Sequence, residues 1–227
     1  PLLVAIAVGI LISLAEPHVG VERFDVIAGQ QGAHAHRLAR AGVVHSEFEA
    51  VAGQGAHVAV SGRRPERLQE VVDTILDRGG DAAALPCDVT DEASVEAAVR
   101  ALIERFGRLD VAVANAGYGV AAPFESITAD QWRRQFDVNV FGVTSMIHWA
   151  MPHLKQSRGR MVLICSVAGV IASPNVGPYH ASKYAVRAIG QVLSIELHGS
   201  GVTCTTVNPG FVASEIARVD NDGVFRE

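Results

Sequence analysis

Met161-Val162-Leu163-Ile164-Cys165-Ser166, followed closely by Pro178-Tyr179-His180-Ala181-Ser182-Lys183, is the stretch whose reading decides the fold. The first run is short and apolar and ends in turn-forming residues, as a buried parallel strand does. Pro178 suits the first turn of a helix, which puts Tyr179 and Lys183 on one helical face, one turn apart. An ammonium so close to a phenol favours the phenolate. This predicts a Tyr179 pKa drawn down from about 10 towards neutral, where a general acid/base works best. Ser166, at the end of the strand, is placed to hold the same phenol or a substrate oxygen. Taken alone, a Tyr and a Lys at this spacing also fit a half-buried Tyr beside a solvated Lys.

Other motifs follow a fixed order along the chain. Asn115-Ala116-Gly117 follows the strand-like Leu109–Ala114, Asn139 lies inside a long helical pattern from Thr128 to about Leu154, and Pro209-Gly210 follows a strand-like Gly201–Asn208. With the strand ending at Ser166 and the Tyr-His-Ala-Ser-Lys box, this order resembles the short-chain dehydrogenase/reductase family from about Gly55 to Ser214. The resemblance implies a doubly wound, Rossmann-like parallel sheet in three α/β/α layers, with ligands at the C-terminal ends of the strands. It also implies hydride transfer between a nicotinamide and an alcohol or carbonyl carbon. In that chemistry Tyr179 exchanges the proton on the substrate oxygen and Ser166 orients that oxygen. Lys183 lowers the Tyr pKa and holds the nicotinamide ribose, and Asn139 anchors a water in the relay. The bland role for Asn139 is a structural hydrogen bond, since a buried Asn in mid-helix must be satisfied.

The cofactor side rests on several segments. By resemblance Asp88 and Val89 contact the adenine, Asn115, Ala116 and Gly117 line the cofactor, and Pro209, Gly210, Val212 and Ser214 run along the nicotinamide, with Tyr179 and Lys183 completing the site. Asp88 beside Thr90 and Asp91 is also simply a helix-capping cluster. Ala56–Ser61 reads as a strand and leads into Gly62-Arg63-Arg64-Pro65 and a helix to about Arg78. Two cations at a helix start oppose the helix dipole, and a phosphate between them would explain their presence. Arg63 and Arg64 therefore favour NADP(H) over NAD(H).

The N-terminal third departs from the family pattern. Where the family carries Thr-Gly-x-x-x-Gly-x-Gly, the nearest candidate is Phe24–His34, with Gly29 and Gly32 at the wrong spacing. Close approach of backbone to a pyrophosphate needs residues without Cβ, so this loop argues against tight dinucleotide binding. Extra residues from Val43 to Gln54 then intervene. The segment from Val26 to His45 is either a product of altered reading frame or a rearranged phosphate loop. Leu2–Ala15 is apolar and uncharged, shorter than a membrane span, and reads either as the remnant of an anchor or as a buried leader. The expected organisation is an apolar leader or anchor remnant over 1–20 and a single dinucleotide-binding oxidoreductase domain over 21–227, incomplete at its C-terminus.

Composition sets the remaining bounds. A chain of 227 residues with 49% hydrophobic and 19% charged residues suits one α/β core. The net charge of -5 offers no basic field for nucleic acid. Cys87, Cys165 and Cys204 lie in or beside apolar runs and form no Cys-x-x-Cys pair, as in a reduced intracellular protein. His34 and His36 are the tight histidine pair and lack carboxylate or Cys company, so no metal site is expected. The expected protein is a cytoplasmic homodimer or homotetramer, with membrane association only through the leader. It acts on a small alcohol or carbonyl compound, and a hydrophobic one if Tyr118, Phe124, Ala168, Val170 and Phe211 line a pocket rather than a core. The competing reading is a non-catalytic or defective fragment that keeps this fold with impaired cofactor binding.

Overall fold

The computed structural model describes residues 9–14, 56–211 and 218–226. The glycine-turn candidate Phe24–His34, the inserted Val43–Gln54, Val212 and Ser214 lie outside the described residues.

The apolar runs become strands β1 (Gly9–Leu14), β2 (Ala56–Gly62), β3 (Asp81–Pro86), β4 (Val111–Ala114), β5 (Arg160–Ile164) and β6 (Thr203–Val207). Between them lie helices α1 (Pro65–Asp77), α2 (Glu92–Phe106), α3 (Ala129–Phe136), α4 (Gly142–Ser157) and α5 (Gly177–Glu196). The sheet order is β3-β2-β1-β4-β5-β6, a doubly wound arrangement. Strand alternation sorts side chains into two cores on opposite faces. Val58, Val60, Val111 and Val162 meet Leu68, Val72 and Ile75 of α1. Ala59, Ala112, Met161 and Leu163 meet Val95, Leu102, Met146, Leu154 and Val186 from α2, α4 and α5. The result is the expected three-layer α/β/α stack.

One strand runs against its neighbours. β2–β3, β4–β5 and β5–β6 pair in parallel, but β1 is antiparallel to both β2 and β4. Gly9–Leu14 belongs to the apolar stretch whose sequence reads as a leader, and here it supplies a central strand. Either direction satisfies the ladder hydrogen bonds, and an apolar run suits a position covered on both faces, so pattern does not dictate polarity. The consequence is positional. Leu14 pairs with Ala56 at the start of β2, and Gly9 pairs with Ala114 at the end of β4. Leu14 therefore lies at the end of the sheet opposite Arg63, Asn115 and Ser166.

Local signals set the helix ends. Asp91 accepts from the Ala93 amide at the start of α2, and Gly107 ends it in a left-handed conformation. Thr128 and Gln131 form a reciprocal capping box at α3. The long helical pattern expected over 128–154 is broken by one π-helical turn, Asp137–Phe141, which joins α3 to α4. This turn carries Asn139, and such widened turns recur at functional sites.

Candidate active site

The C-terminal ends of β2, β4, β5 and β6 bring the expected residues to one side of the molecule. Ser166 follows β5 and has an extended backbone; its Oγ accepts from the Ala168 amide at 3.1 Å, capping a short 3-10 turn, Val167–Gly169. The Val167 amide donates to the Pro209 carbonyl at 2.9 Å, which ties the turn after β5 to the turn after β6. Tyr179 and Lys183 sit in the first two turns of α5, behind Pro178. The Ser166 hydroxyl stands near enough to the Tyr179 phenol to favour its ionised form.

Lys183 is only 5% exposed, and its Nζ donates to the Ile164 carbonyl at 2.8 Å. The same nitrogen stands 5.8 Å from the centre of the Tyr179 ring. Burial lowers the Lys183 pKa from 10.5 to about 8. Burial also raises the Tyr179 phenol above its ordinary value, and the Ser166 hydroxyl offsets this only in part. This corrects the expected electrostatics. The spacing does put both residues on one face, but the lysine caps a strand carbonyl rather than stabilising a phenolate. Desolvation acts on both groups and favours the neutral form of each.

Asn139 is fully buried and satisfied on all sides. Its Oδ1 accepts from the Tyr118 amide at 3.1 Å, and its Nδ2 donates to the Tyr118 carbonyl and the Ser182 Oγ, both at 3.0 Å. Ser182 in turn donates to the Tyr179 carbonyl at 2.7 Å. Asn139 thus links the loop after β4 to the helix carrying Tyr179 and Lys183.

Two residues of this scaffold escape sequence reading. Gln135, also fully buried, donates to the Tyr118 carbonyl at 2.6 Å and accepts from the Val120 amide at 2.8 Å. Its signal is present, since Gln135 and Asn139 are polar residues one turn apart on an otherwise apolar face. His180 holds the Ala168 carbonyl through Nδ1 at 2.8 Å and the Ser173 amide through Nε2 at 3.0 Å. Because the amide must donate, Nε2 is the acceptor and Nδ1 carries the proton. No sequence pattern marks it, because both partners lie in a turn.

On the cofactor side, Asn115, Ala116 and Gly117 follow β4, with Ala116 buried. A Cβ on Gly117 would lie 3.2 Å from the Asn139 Oδ1 and 3.6 Å from the Lys183 Nζ, so the absent side chain lets the three segments meet. Asp88 spends its carboxylate locally, accepting from the Thr90 amide at 3.0 Å and the Thr90 hydroxyl at 2.8 Å. Val89 is buried in the core against Gly142. Arg63 and Arg64 stand between β2 and α1, with Arg64 as the N-cap residue of the helix. Gly210 is exposed in the turn after β6. Of the apolar pocket candidates, Tyr118 and Ala168 are buried, whereas Phe124, Val170 and Phe211 face solvent. Among the described residues there is no group of three or more His, Cys, Asp or Glu able to hold a metal ion. Nor is any helix among them long and apolar enough to cross a membrane.

The described residues fit the nicotinamide end of a dinucleotide. Gly117 brings the loop after β4 close to the Lys183 Nζ, and the buried Tyr118 hydroxyl has no hydrogen-bond partner. The glycine-turn candidate that would meet the pyrophosphate lies outside the described residues.

The fold and this constellation define a class, that of the NAD(P)-dependent short-chain oxidoreductases. The chain belongs to the short chain dehydrogenase family, whose model matches residues 39–224. It is 34% identical over 185 residues to a glycine betaine reductase of Emericella nidulans, covering 81% of this chain and 15% of that protein. It is 31% identical over 175 residues to an uncharacterized oxidoreductase of Listeria monocytogenes, covering 76% of this chain and 71% of that one. Among solved structures it resembles a short chain dehydrogenase/reductase from Burkholderia phymatum in complex with NAD. That match has a TM-score of 0.68 and 31% identity over 70% of this chain and 58% of the other. A gluconate 5-dehydrogenase from Burkholderia cenocepacia in complex with NADP and tartrate matches with a TM-score of 0.71 and 28% identity, over 77% and 69% of the two chains.

Proposed function

We propose that this chain is an NADP-preferring oxidoreductase acting on a small alcohol or carbonyl compound, with Tyr179 as its general acid/base. The convergence of Ser166, Tyr179 and Lys183 at the ends of β5 and α5, hydrogen-bonded from behind through Ser182 to Asn139, carries this reading. The bound nicotinamide supplies or accepts the hydride. In the reducing direction the carbonyl π pair moves onto oxygen and the Tyr179 hydroxyl gives that oxygen its proton. Burial holds the phenol protonated at neutral pH, which suits it to act as the acid. Ser166, beside the phenol, orients the substrate oxygen. Lys183, with a pKa of about 8, can carry a proton to or from the site near neutral pH. Asp88, Val89, Asn115, Ala116, Gly117, Pro209, Gly210, Val212 and Ser214 are assigned to the cofactor with Tyr179 and Lys183. Arg63 and Arg64 are assigned to an adenosine phosphate, which is the basis for preferring NADP(H). Association into a homodimer or homotetramer is part of the proposal. It would cover the apolar surface left at Phe141 beside α4 and at Tyr184, Val192 and Ile195 of α5, where Ile195 is 76% exposed.

The reversed β1 favours a second reading, a fold that binds cofactor poorly. One experiment separates the two. Purified protein is titrated with NADPH and with NADH by nicotinamide fluorescence, and turnover is compared with that of Tyr179→Phe. Tighter NADPH binding, with turnover lost by about a hundredfold or more in the variant at unchanged cofactor affinity, is the expected result. Absence of binding at millimolar cofactor would favour the second reading.

A further inference from the structure

Residues 218–226 form a small hairpin that none of the roles above uses. Val219 and Phe225 pair across it, and the Asp220 carboxylate organises its turn by accepting from the Asp222 and Val224 amides at 3.0 and 2.9 Å. One side grips the loop after β4. The Asn221 Oδ1 accepts from the Ala121 amide at 2.9 Å, its Nδ2 donates to the Ala121 carbonyl at 3.1 Å, and Asp222 pairs with Arg134 at 3.1 Å. Val219 packs with Tyr118, Val120 and Ile127, and Gly223 lies against the Tyr118 ring, where a Cβ would be 3.5 Å from Cζ. The other side reaches the end of β2, where the Phe225 ring lies over the Arg64 guanidinium at 4.5 Å from its centre.

These anchors stand on opposite banks of one crevice. In the order β3-β2-β1-β4-β5-β6 the topological switch point lies beside β1, and a dinucleotide lies outside the strand ends there, between the end of β2 and the end of β4. Arg64 belongs to the first bank, and Tyr118 and Ala121 to the second. A guanidinium face accepts any π face, so a phenyl ring and an adenine ring are alternative occupants of it.

We propose that the hairpin 219–225 is an internal competitor for the cofactor crevice, in which Phe225 takes the Arg64 face that the adenine end of the cofactor would take. This rests on the assignment of Arg64 to the adenosine phosphate above. Cofactor then binds as the hairpin withdraws, and its apparent affinity is reduced by the fraction of molecules in which the hairpin is closed. Neither Asn221 nor Phe225 belongs to the proposed catalytic or cofactor-binding set.

The test uses the whole chain and two variants that loosen the hairpin at different ends, Phe225→Ala and Asn221→Ala, each checked for folding by circular dichroism. Calorimetric titration with NADPH should show Kd falling about threefold to fivefold for Phe225→Ala, the worth of one exposed cation–π contact. Asn221→Ala should shift Kd in the same direction. Hydrogen exchange supplies a second readout on the unmodified chain. The Ala121 amide, which donates to Asn221, should exchange faster at saturating NADPH. Unchanged or weaker binding by both variants, or slower Ala121 exchange with cofactor, would overturn the competitor while leaving the proposed function standing. Tighter binding in the variants with equal affinity for NADPH and NADH would keep the competitor and remove the NADP preference. If neither the original chain nor the variants bind either cofactor at millimolar concentration, both fall.

Discussion

Replacing Lys183 by Met should change how stability responds to pH. Burial takes the lysine from its ordinary 10.5 to about 8. At about 1.4 kcal/mol for each tenfold change in proton affinity, holding its charged form in the fold costs about 3 kcal/mol at neutral pH. In the unfolded chain the same amine keeps its proton up to about pH 10.5, so between about pH 8 and that point the unfolded state binds more protons than the native state. Stability attributable to this residue therefore rises with pH. The penalty is present in full below the folded pKa and is relieved as pH climbs through the window. From about pH 7 to about 9.5 the linkage recovers about 2 kcal/mol. Tyr179, Cys165 and Cys204 act in the opposite sense, because burial raises their folded pKa values and their ionisation in the unfolded chain erodes stability in alkali. The Tyr179 and Cys204 contributions are shared by the unmodified chain and Lys183→Met, and Cys165, whose thiol feels the Lys183 charge, changes only by that smaller coupling. The difference between the two is therefore dominated by the lysine. Removing the amine also leaves the Ile164 carbonyl without its donor, which adds an offset independent of pH. Urea melts of both proteins, followed by the fluorescence of Trp132 and Trp149 across that pH range, measure the difference. It should grow by about 2 kcal/mol in favour of the lysine as pH rises. A difference that stays flat would show that water reaches the ammonium and that the buried, half-neutral lysine is wrong.

Two further substitutions probe the scaffold around the site. Asn139→Ala strips the Tyr118 amide of its acceptor inside the core and should cost about 1 to 3 kcal/mol, read as a lower urea midpoint, with turnover falling as the loop after β4 loosens. In Gly169→Ala the new Cβ would stand 2.6 Å from the Cys165 Sγ and 2.8 Å from the Lys183 carbonyl, so backbone must move. The expected loss is about 1 to 3 kcal/mol in the same assay, and an unchanged midpoint would mean that the turn after β5 is looser than described.

How much of this was legible differs from residue to residue. The near-continuous apolar runs in Ala56–Gly62 and Arg160–Ile164 are enough to name the strands, because a strand in the middle of three layers is covered on both faces. The helical spacing of Tyr179 and Lys183 likewise fixes that they share a face. It does not report what else that face meets. The charge state of Lys183 depends on how completely the loop after β4 at Gly117 and the end of β5 at Ile164 enclose it, and this enclosure is assembled from distant segments. Asn139 was visible as a polar residue in an apolar helix, but its partners Tyr118 and Ser182 are brought to it only by the crossing of three elements. The hairpin at 219–225 was invisible for a related reason. The Asn221 side chain grips the backbone amide and carbonyl of Ala121, groups that every residue but proline offers.

The sequence by itself therefore determined the strands from Ala56 onward and most of the helices, from their apolar runs and hydrophobic period, and the order of motifs along the chain gave the family and the layers that it implies. The direction of β1, the neutralising burial of Lys183 and the reach of Phe225 to Arg64 were decided by tertiary structure. Each depends on which surfaces come together in space, and a local pattern sets the hydrogen-bonding and burial that a segment needs without naming the neighbour that provides them.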